Sequence, residues 1–340
     1  TLDCGESGTS LRFLSALAAR SGKAVRLRGR GRLPLRPIAE LFDALECLGA
    51  TIDRPRGPRF LPATVRGPLR GGRVRLDASR SSQFASALLL TLPTVPGDST
   101  LDLVGPIVSA PYLDATLAVL RHHRVRVSRR GRRFSIPGGQ RYLGKGIMVP
   151  GDASSAAYFW AAAAITGGKV SISGIPAGWP QADLAILDLL DSAGATVVRS
   201  PDGGSVEGDR LRGFSVDLTE SPDLYPLAGV IAASIPEPSR LAGAAHVVHK
   251  ESDRREGTLR LARAMGADAR LERGDLVIRG SARPRGFSLR GLLDHRLVMS
   301  AAVGALHGTT PSILDDARVV AKSFPGFWSA LASLRGTGAP

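Results

Sequence analysis

The stretch LAILDLLDSAGATVVRS, residues Leu184 to Ser200, reads as an amphipathic helix, a Gly-Ala break at Gly194 and then a strand. The same order recurs in IAELFDALECLGATIDR (Ile38–Arg54), LDATLAVLRHHRVRVSR (Leu113–Arg129) and TLRLARAMGADARLE (Thr258–Glu272), with a degenerate copy in GFWSALASLRGTG (Gly326–Gly338). The break falls at Gly49, Arg124, Gly194, Gly266 and Gly336, so successive copies stand 75, 70, 72 and 70 residues apart. A second helix precedes each copy and opens with small polar or charged residues: ESGTSLRFLSALAA, RSSQFASALLL, DASSAAYFWAAAA, SPDLYPLAGVIAA and DHRLVMSAAVGAL. Anchored at Thr9, Ser82, Ser155, Asp223 and His295, this second series advances by 73, 73, 68 and 72 residues. The two series keep step, with room for further strands in KAVRLRG, GGRVRLD and KVSISGI. The chain is therefore an internal-repeat α/β protein.

Helix openings of this composition suit anions, because the first N–H groups of a helix lack internal partners and the helix dipole favours negative charge there. Ordinary capping by Ser, Thr and Asp would explain any single opening; ten of them point further. Composition leads the same way. The 340 residues carry a formal charge of +15, which favours an anionic partner, either nucleic acid or phosphorylated and carboxylated metabolites. Aromatic residues are only 5% and no basic run is interleaved with them, so stacking on bases has little support. Two cysteines, Cys4 and Cys47, are too few for a disulfide framework or a zinc site, and the six histidines form no ligand spacing. No apolar run reaches the length of a membrane span, and the opening TLDCGESGT lacks the form of a signal peptide. A cytoplasmic protein, with no membrane or nucleic-acid partner, is expected.

Over nearly its whole length the chain resembles EPSP synthase, the 3-phosphoshikimate 1-carboxyvinyltransferase family. The likeness rests on GESGTSLRFL, GRGRLPLRP, SSQFASALLL, SAPYLDATL, GDASSAAYFWAAAAITGG, SPDLYPLAGVIAA, HKESDR, LDHRLVMSAAV and AKSFPGFW, in that order and spacing. It implies a two-domain enolpyruvyl transferase fold built from βαβαββ units, with helix N-termini turned toward a cleft. The implied domains are residues 1–148 and 149–340, with a crossover strand near Met148 to Asp152. It also implies transfer of an enolpyruvyl group from phosphoenolpyruvate to the 5-hydroxyl of shikimate 3-phosphate by a monomer, with neither metal nor organic cofactor.

Carried over position by position, the resemblance assigns shikimate 3-phosphate to Ser81, Ser82, Gln83, Ser109, Tyr112, Asp223 and Lys250. It assigns phosphoenolpyruvate to Gly8, Arg32, Gln83, Arg254, His295, Arg296 and Lys322. Arginine suits two-pronged recognition of carboxylate and phosphate, and a glycine lets backbone approach a ligand. Asp223 would face the target hydroxyl and Glu251 would serve the methylene carbon of phosphoenolpyruvate, with His295 the third catalytic residue. As an acid near neutrality, Glu251 would need partial desolvation. In HKESDRRE, His249 to Glu256, Lys250 is one of only five lysines beside forty arginines. A helix start there would put Lys250, Glu251 and Arg254 on one face, the two cations flanking the carboxylate.

Two positions depart from the family pattern. Val248 stands where an arginine is usual, and Glu6 replaces a usual asparagine, adding a carboxylate near an anion site. The sister enzyme, UDP-N-acetylglucosamine enolpyruvyl transferase, typically carries a cysteine in the loop matching RGRGRLPLRP, which has none here. A non-catalytic, arginine-rich scaffold for RNA or DNA is the alternative of a different class. Five repeats are visible against six in the implied fold. Six periods of about 72 residues give about 430, so about 90 residues, one whole unit, are expected before Thr1.

Overall fold

The helices that open each repeat are apolar around most of their circumference, and such helices must be enclosed. In the computed structural model, which describes residues 1–282 and 284–334, they are the most deeply buried elements. The chain divides into two compact units, Thr1–Val149 and from Pro150 onward, and each has its own core.

The first unit contains two four-stranded sheets of identical plan. Strands β1 (Leu2–Asp3) and β2 (Val25–Arg28) are joined through helix α1 (Gly8–Ala19). Helix α2 (Ala39–Cys47) then leads to β3 (Thr51–Asp53) and β4 (Ala63–Arg66). The strand order is β1-β2-β4-β3, with β1 and β2 parallel and β4 antiparallel to both its neighbours. The second sheet repeats this with β5 (Arg73–Asp77), α3 (Gln83–Thr91), β6 (Ser99–Val104), α4 (Pro111–His122), β7 (Ser128–Arg130) and β8 (Arg133–Ile136), in the order β5-β6-β8-β7. Alternation puts Val74 and Leu76 of β5, and Leu101 and Leu103 of β6, against the helices, while Arg73 and Arg75 face out. Parallel register pairs Val74 with Leu101 and Leu76 with Leu103, so the core face is continuous across the two strands.

The second unit opens with α5 (Ala153–Thr166), β9 (Lys169–Ser173), α6 (Ala185–Ser192), β10 (Thr196–Ser200) and β11 (Gly203–Glu207), a three-stranded sheet ordered β10-β11-β9. A full βαβαββ sheet follows: β12 (Ser215–Asp217), α7 (Tyr225–Ala233), β13 (Ser239–Ala242), α8 (Arg254–Ala264), β14 (Asp268–Glu272) and β15 (Asp275–Arg279), ordered β12-β13-β15-β14. The last sheet pairs β16 (Ser288–Leu289) with β17 (Ile313–Leu314) around α9 (His295–His307), and α10 (Phe327–Ser333) follows. Every residue of α7 is buried, and α5 and α7 both pack on α9. Residues 148–152, expected to hold a crossover strand, are irregular: Pro150 cannot donate to a ladder, and the Gly151 N–H bonds the Gly174 carbonyl at 2.6 Å.

The break in each helix–strand junction has a backbone cause. Gly49, Arg124, Gly194 and Gly266 all adopt a left-handed conformation, with φ of 101°, 56°, 100° and 87°. A residue at positive φ ends the helix and turns the chain toward the next strand. The fifth break, Gly336, lies outside the described residues.

Candidate active site

The first unit places its candidate residues at helix starts. Ser7 caps α1, its hydroxyl accepting from the Ser10 N–H at 3.1 Å. Gly8, the next residue, is where side-chain bulk is excluded: a Cβ there would stand 2.8 Å from the Arg36 guanidinium carbon. Gly8 thus makes room for a buried arginine of its own chain. Gln83 opens α3 and is fixed at both ends of its amide, accepting from Arg12 Nη1 at 2.6 Å and donating to the Thr9 hydroxyl at 3.0 Å. Arg12, 5% exposed, also donates to the Pro37 carbonyl and lies over the Phe84 ring. So Gly8, Gln83, Arg12 and Arg36 form one group. Ser81 accepts from the Gln83 N–H at 3.2 Å, and Ser82 is buried just before α3, without a side-chain cap bond. Ser109 is buried at φ 55°, a conformation that costs a non-glycine residue about 1–2 kcal/mol, and its carbonyl accepts the Tyr112 N–H as α4 begins. Arg32 is exposed at the head of a 3-10 turn, Leu33–Leu35. The Glu6 carboxylate lies against the neighbouring turn, where a Cβ on Gly31 would stand 3.0 Å from it.

The second unit gathers a denser cluster. Arg254, 1% exposed, spends its guanidinium on three carboxylates: Nε to Asp294 at 2.9 Å, Nη1 to Asp223 at 2.6 Å and Nη2 to Glu251 at 2.8 Å. Asp223 also meets Lys250 Nζ at 3.4 Å and Arg296 Nη2 at 2.9 Å. Asp294 is fully buried and also caps α9 through the Arg296 N–H. His295 Nδ1 stands 3.6 Å from Asp294, and Lys322, in the 3-10 turn Ala317–Lys322, donates to the Leu293 carbonyl just before it.

The expected helix start at Lys250 lies four residues too early. Asp253 is the cap and Arg254 the first helical residue, so Lys250 and Glu251 sit in the bend that follows the 3-10 turn Ala245–His249. Asp253 captures the Glu256 N–H, and that fixes the start. Lys250 and Arg254 still converge, on Asp223 rather than on either side of Glu251. Glu251, for which partial desolvation was expected, is ion-paired to Arg254 at 2.8 Å. Arg254 can reach a substrate only if a carboxylate first leaves it.

The charge states follow from these contacts. Burial pushes the Asp223 carboxyl up, but Arg296, Lys250 and Arg254 outweigh it and hold it well below the usual range. Burial opposes ionisation of Asp294 too, and Arg254 overcomes it, leaving a value of about 2. Burial works against Arg254's charge, yet Asp294, Asp223 and Glu251 raise it further. His295 is lowered by burial, and His246, 6% exposed, falls to about 4 for the same reason, so both are neutral at pH 7. Arg12, Arg36 and Asp294 were within the sequence motifs without being assigned. Their signal was a charge embedded in an apolar run, as in LRFL and LDHRLV.

Carboxylates caged by arginine and lysine, at the helix starts of an α/β repeat, have the chemistry of sites that suit small acidic molecules. The sequence profile of EPSP synthase (3-phosphoshikimate 1-carboxyvinyltransferase) matches residues 1–331. A 3-phosphoshikimate 1-carboxyvinyltransferase of Thermococcus kodakarensis is 40% identical over 333 residues, 97% of this chain and 79% of the relative. That of Methanocorpusculum labreanum is 36% identical over 326 residues, 96% of this chain and 76% of the relative. The solved EPSP synthase of Acinetobacter baumannii superposes with a TM-score of 0.79 at 26% identity, covering 98% of this chain and 78% of that one. The chain belongs to the EPSP synthase family. Among the described residues no group of His, Cys, Asp and Glu is placed to hold a metal ion, and no helix is long and apolar enough to cross a membrane.

Proposed function

We propose that the protein transfers the enolpyruvyl group of phosphoenolpyruvate to the 5-hydroxyl of shikimate 3-phosphate, releasing phosphate, in aromatic amino acid biosynthesis. The observation that carries this reading is Asp223, an ionised carboxylate held by Lys250, Arg254 and Arg296 at once. A carboxylate in such a cage is a weak base while the cations are its own. Anionic substrates that draw off Lys250 and Arg296 remove that stabilisation, and Asp223 becomes basic enough to take the hydroxyl proton. The hydroxyl oxygen then bonds to C2 of phosphoenolpyruvate while C3 takes a proton from Glu251, which can hold that proton once substrate has drawn Arg254 away from it. Loss of a proton from the new methyl group, with departure of phosphate, restores the double bond.

Shikimate 3-phosphate is assigned to Ser81, Ser82, Gln83, Ser109, Tyr112, Asp223 and Lys250. Phosphoenolpyruvate is assigned to Gly8, Arg32 and Gln83, and to Arg254, His295, Arg296 and Lys322. Neutral His295 serves as a hydrogen-bonding partner rather than a cation. The test is phosphate release from phosphoenolpyruvate with and without shikimate 3-phosphate. Release that requires both substrates is expected. Saturable, steeply salt-dependent binding of random-sequence nucleic acid without any such release would favour the scaffold reading instead.

A further inference from the structure

Asp183 has no part in the chemistry above, yet it is among the most enclosed charged side chains of the second unit. It lies in the 3-10 turn Ala182–Leu184 that leads into α6, and is 2% exposed. Among the described residues it makes no ion pair. One carboxyl oxygen accepts the Ser154 hydroxyl, from the first turn of α5; the other, Oδ1, is buried with no hydrogen-bond partner. One helical turn along the same face of α5 is the hydroxyl of Tyr158, 1% exposed, which lies close to Arg296. Both groups lie in the field of Asp223 and Arg296, the pair bonded at 2.9 Å. An ionised carboxylate with one bare oxygen is a costly thing to bury, whereas a carboxylic acid in the same place is far cheaper.

The charges around it sharpen the point. The cluster sets four carboxylates, Asp183, Asp223, Glu251 and Asp294, against Lys250, Arg254 and Arg296, with Lys322 beside α9 and Asp152 at the cap of α5. His295 and His246 are neutral. Bringing a phosphate and a carboxylate onto Arg296 adds negative charge to a site that already has one more carboxylate than cations. Of the four carboxylates, Asp223, Glu251 and Asp294 are each bonded to Arg254; Asp183 alone has no cation. It is the one whose protonation breaks no ion pair.

We propose that Asp183 is a positioning residue that takes up a proton as the anionic substrate engages Arg296, so that Arg296 is released from carboxylate to ligand without leaving an unpaired buried charge. This rests on the assignment of phosphoenolpyruvate to Arg296. Burial raises the Asp183 carboxyl to about 6, with the Asp223 charge adding to the effect, which puts the exchange within reach of neutral pH.

Phosphoenolpyruvate is titrated into the protein by calorimetry between pH 5 and 8, in buffers of different protonation heat, for the parent and for Asp183→Asn. The phosphate's own ionisation contributes to both, so the difference isolates Asp183. The parent is expected to take up close to one more proton per ligand than the variant at pH 7, and the difference should vanish near pH 5. The KM for phosphoenolpyruvate should climb more steeply with pH in the parent, by about tenfold per unit above pH 6, with kcat not sharing that slope. Equal proton counts and equal slopes in the two proteins would overturn the proposal. If the variant does not fold, infrared difference spectra of the parent decide: a protonated-carboxyl band must grow when phosphoenolpyruvate is added at pH 7, and its absence overturns the idea. Phosphoenolpyruvate that fails to bind the parent at all would sink the substrate assignment and this inference with it.

Discussion

Arg254 shows how one residue can bind three loops into one site. Its guanidinium is the shared partner of Asp223 before α7, Glu251 in the bend before α8 and Asp294 before α9, and truncating it would take the buried cation from Asp294 while Asp223 kept Lys250 and Arg296. Removing one side of a buried pair typically costs about 3–5 kcal/mol. The two fully enclosed carboxylates of this unit make opposite demands. Asp294 lies below its ordinary value of 3.8, at about 2, so its stabilising contribution is present above pH 4 and is lost as pH falls toward 2. Asp183 lies above that value, at about 6, so its contribution is present below pH 4 and is lost as pH rises through 6. Each shift of about two units corresponds to about 3 kcal/mol. Asp294→Asn should therefore destabilise the second unit at pH 8, whereas Asp183→Asn should stabilise it at pH 8 and do little at pH 4. All three tryptophans, Trp160, Trp179 and Trp328, belong to this unit, so denaturation followed by their fluorescence reads it alone. The same sign for both variants at pH 8 would show the charge assignments to be wrong. For function, Glu251→Gln should keep substrate affinity and lose turnover by about 10²–10⁴-fold, and turnover within a few-fold of the parent would remove Glu251 from the proton transfer.

At the scale of elements, the helix–break–strand pattern was legible because one backbone requirement recurs with it. Each break must reach positive φ, and three of the four described ones are glycine. Arg124 is the exception, held at φ 56° with only its backbone bonded into the turn, its N–H to the Arg121 carbonyl at 3.0 Å. A left-handed arginine costs about 1–2 kcal/mol, and glycine's extra freedom in the unfolded chain returns about half of that. Arg124→Gly should thus raise the stability of the first unit by about 0.5–1 kcal/mol, seen as a higher melting temperature by circular dichroism. A lower melting temperature would mean that the arginine side chain contributes more than its backbone loses. Helix openings were less legible than breaks. Ser7, Asp152, Asp253 and Asp294 prove to be caps of their own helices, so small polar residues there report capping as readily as anion binding. The start of α8 was misplaced because HKES and DRRE are equally polar; only the Asp253 cap separates bend from helix. Asp183 was illegible for a related reason. In QADLAILDLL it looks like any acidic residue at a helix start, and its burial is set by Ser154, nearly thirty residues earlier.

At the scale of the whole chain, the charge is not shared evenly. Residues 1–149 hold 25 Lys and Arg against 10 Asp and Glu, and residues 150–340 hold 20 against 20, so the entire +15 belongs to the first unit. Codon preference would scatter arginine over both. In the second unit the cations are matched one for one, and several of the matches are the buried pairs of the site. In the first unit the excess is exposed: Arg26, Arg28, Arg66, Arg73, Arg75, Arg130 and Arg133 all stand on solvent-facing strand positions. Asp102 answers two of them, Arg73 at 2.9 Å and Arg133 at 2.6 Å, and both pairs are largely exposed and worth little. Such a surface contributes to capture more than to stability, because a field of one sign concentrates anions and raises their encounter rate until salt screens it. Both proposed substrates are multiply charged anions. The expectation is that kcat/KM falls several-fold for each of them between about 20 and 500 mM salt, where the screening length drops from about 20 Å to about 4 Å, while kcat stays nearly constant. Replacing Arg75 and Arg130 with glutamate should flatten that dependence and lower kcat/KM only at low salt. A salt profile unchanged by the double variant would mean that the excess charge of the first unit has no part in gathering substrate.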